Sequence, residues 1–277
     1  MSTPHQIIVA TDFSRASSAA LAVARRLAPV FHAKVTLLHV FQYVPQHQYR
    51  VPVAWMVEII RKDVQQQLEE DRALFLRSGI QAEVIALEDG PPAQQILAFL
   101  RTREAPLLIM GTHAFGGMER FLLGSTAEEV LRQAECPVIT VGPHVLPEEA
   151  SLRKILFATD FSRTSFAAIP LVLELQRLSE AHIRVLHVVT DPVLGEENKQ
   201  FDPIKKALEL AKVVDYVTLH GGNISQAVVN EAERYPSDLL VMGIRRAPEA
   251  AAHLAPKIAF QIIAAAPCAV LTISSRL

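Results

Sequence analysis

The residues best placed by type and spacing to do chemistry lie in the stretch MGTHAFGGMERFLLGST, from Met110 to Thr126. Four of the chain's eleven glycines, Gly111, Gly116, Gly117 and Gly124, are concentrated there, which marks a backbone built for unusual φ or close approach. Ser125 and Thr126 then open a helix pattern, STAEEVLRQA, whose first amides have no partner inside the helix. A glycine loop running into a helix N-terminus presents N–H donors and a positive dipole end, and phosphate is the usual occupant. The same residues also suit an ordinary strand-to-helix connection capped by Ser125. The loop by itself leaves both readings open.

The remaining reactive side chains form no catalytic constellation. His39 and His187 recur at the ends of matched apolar runs, where a single histidine per site reads as a core residue before it reads as a base or metal ligand. His113 sits in the glycine loop, facing either a phosphate or solvent. Cys136 and Cys268 each precede a β-branched run and read as small buried residues. Tyr43, Tyr49 and Trp55 flank a segment with Pro45 and Pro52; they form either a lid or packing on the next helix. No lysine follows a glycine loop as in a Walker A motif, and no carboxylates show metal spacing.

The elements that must position the loop alternate between strand and helix. IIVA (Ile7 to Ala10) and KVTLLHV (Lys34 to Val40) are continuous apolar runs of the buried parallel type. Between them Asp12 or Ser14 caps a helix through Leu27. After an irregular stretch from Phe41 to Ala54, helical spacing runs from about Val53 to Arg77 and stops at Ser78-Gly79. A strand near Ala82 to Leu87, a helix from Pro91 to Thr102, the strand Pro106 to Met110, the helix Ser125 to Ala134 and the strand Pro137 to Val141 complete the first half. Such alternation means a parallel sheet with right-handed crossovers and helices on both faces.

The segment Gly142 to Lys154, with Pro143, Pro147 and an acidic pair, reads as a linker, because the pattern then begins again. ATDFSR stands at Ala10 to Arg15 and again at Ala158 to Arg163; Leu38-His39-Val40 matches Leu186-His187-Val188 at the same offset of 148. Further along the offset is 132, so that LLIMG at Leu107 meets LLVMG at Leu239 and Cys136 meets Cys268. The shorter second copy has its missing residues near a helix at about Pro203 to Lys212. Two α/β modules are expected, over residues 1–143 and 152–277. Assuming the strand order 3-2-1-4-5, the first and fourth strands adjoin at the switch point, and Asp12, Val40 and Gly111 converge beyond their carboxyl ends.

With 27 basic and 29 acidic residues the net charge is −2, which gives no basic surface for nucleic acid. Half the residues are hydrophobic, yet no run reaches membrane-spanning length and no signal pattern opens the chain. Two cysteines are too few for a disulfide framework. A cytoplasmic protein is expected.

The ATDFS strand end, the LHV strand end and the G-x-x-G-x9-G-S/T loop before a CPV strand together resemble the universal stress protein family, twice over nearly the whole chain. The resemblance implies flavodoxin-like or Rossmann-like five-stranded sheets and a ligand that is ATP or another adenine nucleotide, alone or with Mg. It puts Ala10, Thr11 and Asp12 at the nucleoside, Val40 by adenine, and Met110, Gly111, Gly117, Gly124, Ser125 and Thr126 around the phosphates. Ala114 departs from the pattern, standing where the family has a second glycine; if that position needs positive φ, alanine costs on the order of 1 kcal/mol. The second module departs further: Gly243 is kept, but Arg246, Pro256 and Lys257 replace the other glycines and the serine.

These observations predict a non-enzymatic stress protein that binds an adenine nucleotide through its first module. The alternatives are a module acting through protein partners without nucleotide, and a slow ATP hydrolase or phosphotransferase. Single-module relatives commonly dimerise through the last strand. A tandem chain is therefore expected to pair Val138-Ile139-Thr140 antiparallel with Val270-Leu271-Thr272 internally, with a homodimer of chains as a further level.

Overall fold

The computed structural model describes residues 4–41, 53–88, 90–112, 123–142, 145, 152–190, 202–208, 214–245 and 257–275. In chain order the elements of the first half are β1 (Gln6–Ala10), α1 (Arg15–Phe31), β2 (Lys34–Phe41), α2 (Val53–Arg77), β3 (Ala82–Glu88), α3 (Pro92–Arg101), β4 (Pro106–Gly111), α4 (Ser125–Gln133) and β5 (Val138–Val141). The second half has β6 (Lys154–Ala158), α5 (Arg163–Ser179), β7 (His182–Val189), α6 (Asp202–Ala207), β8 (Val214–His220), α7 (Ile224–Arg234), β9 (Leu239–Arg245), α8 (Lys257–Ala265) and β10 (Ala269–Ser275). Apolar runs too short for a helix and flanked by turn residues have become strands, as their β-branched content favours.

The strands form one sheet in the order β3-β2-β1-β4-β5-β10-β9-β6-β7-β8. Each half has the 3-2-1-4-5 order and is parallel throughout, so the expected pair of five-stranded sheets is present but fused edge to edge. The seam is antiparallel, with Val270 opposite Thr140, Leu271 opposite Ile139 and Thr272 opposite Val138. Matched threonines reinforce it: Thr140 Oγ1 donates to the Val270 carbonyl at 3.3 Å, and Thr272 Oγ1 to the Val138 carbonyl at 3.1 Å. The two halves are thus related by a pseudo-two-fold axis through Ile139 and Leu271.

Alternation along each strand divides the core between the two faces of the sheet. Ile7, Val9, Ile109, Ile139, Phe157, Val241 and Leu271 pack under α1, α2, α5 and α6. Ile8, Leu108, Met110, Val138, Leu156, Leu240 and Val270 pack under α3, α4, α7 and α8. Most of these side chains are sealed from water, at about 25 cal/mol per Å² of apolar area buried, so the register of every central strand is fixed by its side-chain period of two. Trp55 departs from the expectation of packing on a neighbouring helix, being 59% exposed at the start of α2.

Candidate functional site

The strand order reverses between β1 and β4, and the carboxyl ends of both strands open into a cavity of about 260 Å³. Ala10, Thr11 and Asp12 enter it from β1, Val40 from β2, Met110 and Gly111 from β4, and Gly124, Ser125 and Thr126 from the start of α4. Of the ten residues that the family resemblance puts at the nucleotide, only Gly117 is not among them; it lies outside the described residues, as do His113, Ala114, Gly116, Tyr43 and Tyr49. Ser17, Leu38, Pro92, Ile96, Thr112 and Ala127 also line the cavity and were not anticipated. Ser17 had a signal in its recurrence beside ATDFS, whereas Pro92 and Ile96 look in sequence like any helix facing a sheet.

Asp12 is held by the turn it builds. Its Oδ1 accepts from the Ser14 amide at 3.0 Å and from Ser17 Oγ at 2.5 Å, while Ser17 Oγ accepts from the Asp12 amide at 3.1 Å. Ser14 caps α1 by accepting from the Ser17 amide, as the sequence expected of Asp12 or Ser14. Phe13 between them takes a φ of 61°, sterically unfavourable for a side chain, and the hydrogen-bonded turn holds it there. Asp12 Oδ2 has no partner among the described residues and stays available to a ligand donor. The second half repeats the whole arrangement: Asp160 Oδ1 accepts from Ser162 N at 3.0 Å and Ser165 Oγ at 2.6 Å, and Phe161 has a φ of 56°. A motif kept in a half that lacks the glycine loop serves the fold first.

His39 is also structural. Its Nδ1 lies 2.7 Å from the Thr11 carbonyl; since that oxygen can only accept, Nδ1 carries the proton. The ring lies between Phe13 and Phe41, with centroids 4.5 and 6.2 Å away. Burial depresses its pKa, opposed by the Thr11 hydrogen bond and by the charge of Asp12. His187 repeats the contact with the Thr159 carbonyl at 2.9 Å. Both cysteines are buried, and burial pushes the Cys268 thiol up to about 12, which leaves it unreactive as a nucleophile.

The two glycines at the strand ends are required by α1 and α5. A Cβ on Gly111 would stand 2.8 Å from the Ala16 carbonyl carbon and 2.9 Å from the Ser17 amide; one on Gly243 would stand 2.7 Å from the Ser165 amide and the Thr164 carbonyl carbon. Close approach is the reason for glycine here, but the approaching group is a helix backbone.

At the start of α4 one expected donor is already used. The Gly124 amide donates to the Thr112 carbonyl at 2.7 Å, and Gly124 itself has φ −61° and ψ 144°, open to any residue. The helix has no side-chain cap, so the amides of Ser125, Thr126 and Ala127 begin it with the positive end of its dipole at the cavity. Leu38, Val40, Ile96 and Met110 give the same cavity an apolar wall. A cavity so lined can take a flat apolar group together with an anion. Among the described residues no three His, Cys, Asp or Glu side chains are grouped to hold a metal, and no helix is long and apolar enough to cross a membrane.

Comparison with known proteins matches this geometry to a family. The chain is 33% identical over 138 residues to a universal stress protein of Methanocaldococcus jannaschii, covering 49% of this chain and 81% of that protein. It is 27% identical over 135 residues to a universal stress protein of Thermus aquaticus, covering 49% and 96%. In three dimensions it resembles a universal stress protein of Archaeoglobus fulgidus with a TM-score of 0.81 over 99% of both chains, at 18% identity, a likeness of fold. The sequence model of the universal stress protein family matches residues 4–142 and again 151–274. The chain therefore belongs to the universal stress protein family, with two family domains in tandem.

Proposed function

We propose that the first half of the chain binds an adenine nucleotide in the cavity between β1, β4 and α4, and that it does so without turning it over. The observation that carries this reading is the uncapped N-terminus of α4, whose Ser125, Thr126 and Ala127 amides border the same cavity as the apolar wall. Adenine would lie against Val40, Leu38 and Ile96, the ribose hydroxyls within reach of Asp12 Oδ2, and the phosphates at the α4 amides. The fit is a partial one: Gly124 contributes shape and not a donor. A Mg ion accompanying the phosphates would be held mainly by phosphate oxygens and water, since Asp12 is the cavity's sole carboxylate among the described lining residues. No described lining group pairs a free base with an exposed nucleophile, which favours binding over hydrolysis.

The second half keeps Asp160 and Gly243 but begins α8 with Lys257, and its loop has Pro256 where Gly124 stands. We assign it no nucleotide. The test is calorimetric titration of ATP into the protein, together with mass spectrometry of small molecules released on denaturation. Ser125→Pro is the informative variant: proline is tolerated at the first helical position, and Gly124 already has the extended ψ that a following proline needs. It removes one amide donor, so affinity is expected to fall by about tenfold or more, from the ~1.5–3 kcal/mol of a charge-assisted bond. A wild-type protein that binds no adenine nucleotide, or a Ser125→Pro protein that binds equally well, refutes the assignment.

A further inference from the structure

Two contacts across the seam run one way. Ser274 Oγ, near the end of β10, donates at 2.9 Å to the carbonyl of Ala134, the residue that ends α4. The Arg132 guanidinium of α4 lies over the Phe260 ring of α8, 5.2 Å from its centroid, and Arg132 also pairs with Glu128 in the first turn of α4. The offset of 132 gives each contact a mate. Gly142 stands where Ser274 would be in the first half; a Cβ added to it would lie 4.0 Å from the Ala266 carbonyl oxygen, so the position is right and the hydroxyl is missing. The mates of Arg132 and Phe260 are Ala264 and Glu128, which cannot stack. Side chains of the second half thus hold α4, and the mated positions return neither contact to α8.

The hold falls on a helix with a thin apolar face. Of the nine residues of α4 only Ala127, Val130 and Leu131 are buried, whereas α8 buries Ala259, Ile262, Ile263 and Ala264. A helix this short has little stability of its own and depends on what packs against it. It is also the helix whose uncapped amides border the cavity. Tilting or fraying of α4 would move these donors relative to the strand ends, and a hydrogen bond to an anion weakens steeply as its distance and angle depart from the optimum.

We propose that the second half, which we assign no nucleotide, serves as a brace for the anion-binding helix of the first. Phe260 and Ser274 are positioning residues: they act through Arg132 and Ala134 to hold α4 where the Ser125, Thr126 and Ala127 amides meet a phosphate. The effect on affinity rests on the nucleotide reading above, but the hold on α4 exists without ligand and is measured without it.

The variant is Phe260→Ala/Ser274→Ala in the whole protein. Hydrogen–deuterium exchange without ligand compares residues 128–134 with α1, which lies on the opposite face of the sheet and reports opening of the fold at large. Exchange in 128–134 is expected to rise by about threefold or more relative to α1; an unchanged ratio overturns the brace. Calorimetric titration is expected to show ATP affinity lowered by about threefold or more in the double variant. Phe260→Tyr keeps the ring, and Thr272→Val loses a seam hydrogen bond to Val138, away from α4; both are expected to bind ATP as the wild type does. Equal affinity in the double variant and the wild type, or an equal loss in Thr272→Val, overturns the proposal. Ser274→Ala alone, expected to change both readouts by about twofold, serves if the double variant does not fold. A wild-type protein that takes no ATP, with exchange in 128–134 still responding to the variant, removes the nucleotide reading and keeps the brace.

Discussion

Replacing either strand-end glycine by alanine separates a packing role from a ligand role. At Gly111 the new methyl would lie 2.8–2.9 Å from three atoms of Ala16 and Ser17, two of them backbone; at Gly243 it would lie 2.7–2.9 Å from three backbone atoms of Thr164 and Ser165. A backbone atom in the first turn of a helix has no rotamer by which to move aside, so α1 or α5 must shift bodily from the sheet. Overpacking of this kind costs ~1–3 kcal/mol. Neither glycine has a positive φ, so alanine adds no conformational strain, and it stabilises by about 0.4–1 kcal/mol through the unfolded chain. Taking the middle of each range, the net loss is about 1–1.5 kcal/mol for each. With a urea dependence near the top of the ~1–3 kcal/mol/M range, suited to a chain of this length, the midpoint falls by roughly 0.3–0.5 M. Gly243→Ala is the decisive variant, because its half has no glycine loop for a phosphate. If Gly243→Ala leaves the urea midpoint unchanged while Gly111→Ala lowers it, the close-approach explanation is wrong.

Two further outcomes follow from buried charge. Burial holds the folded pKa of His39 below the ordinary imidazole value near 6.5, so the unfolded chain binds the proton first; stability declines as pH falls through about 6.5 and levels off below the folded value. His39→Asn, which retains a donor for the Thr11 carbonyl, removes that decline, and a wild-type-minus-variant curve that is flat or slopes the other way in urea titrations from about pH 7.5 to 5 contradicts it. Arg184 Nη1 lies 3.0 Å from Glu231 Oε1, whose side chain is 4% exposed. Arg184→Met leaves that carboxylate buried and loses about 3–5 kcal/mol, whereas Arg184→Met/Glu231→Met recovers most of it; a double variant as unstable as the single one rules this out.

Much of the fold was readable because β1, β2 and β4 are apolar runs and the internal repeat reads each of them a second time in β6, β7 and β9. The antiparallel pairing of β5 with β10 was expected from the dimers of single-module relatives, and the sequences agree with it: both strands are short, apolar and β-branched and close their half of the 3-2-1-4-5 order, where an open edge favours pairing. The residues beyond the carboxyl ends of β1, β2 and β4 were readable for the same reason, since strand order brings them together. What stayed hidden depends on distances between elements remote in sequence. Gly111 looks like a ligand glycine until the backbone of α1 is placed against it, and the Gly124 amide looks free until Thr112 is brought within 2.7 Å. Likewise, the linker composition marks a loop but does not reveal that Val145 and Leu152 pack on the core. The exposure of Trp55 is a case where residue type pointed the wrong way: a large aromatic on a helix is ordinarily packed, and this one is not.

The seam between β5 and β10 changes the rules under which the two copies can vary. In a dimer of identical subunits every residue at the axis must fit its own copy, and a single mutation alters both sides at once. Here the axial pair is Ile139 against Leu271, two different residues, and the flanking positions set Val138 against Thr272 and Thr140 against Val270. One polypeptide has thereby escaped the demand for self-complementarity, and a change on one strand can be answered by a different change on the other. Loss of glycines in the second half becomes tolerable on the same ground: a mutation at Pro256 or Lys257 alters one module of the molecule and leaves the Gly124 to Thr126 turn of its neighbour intact.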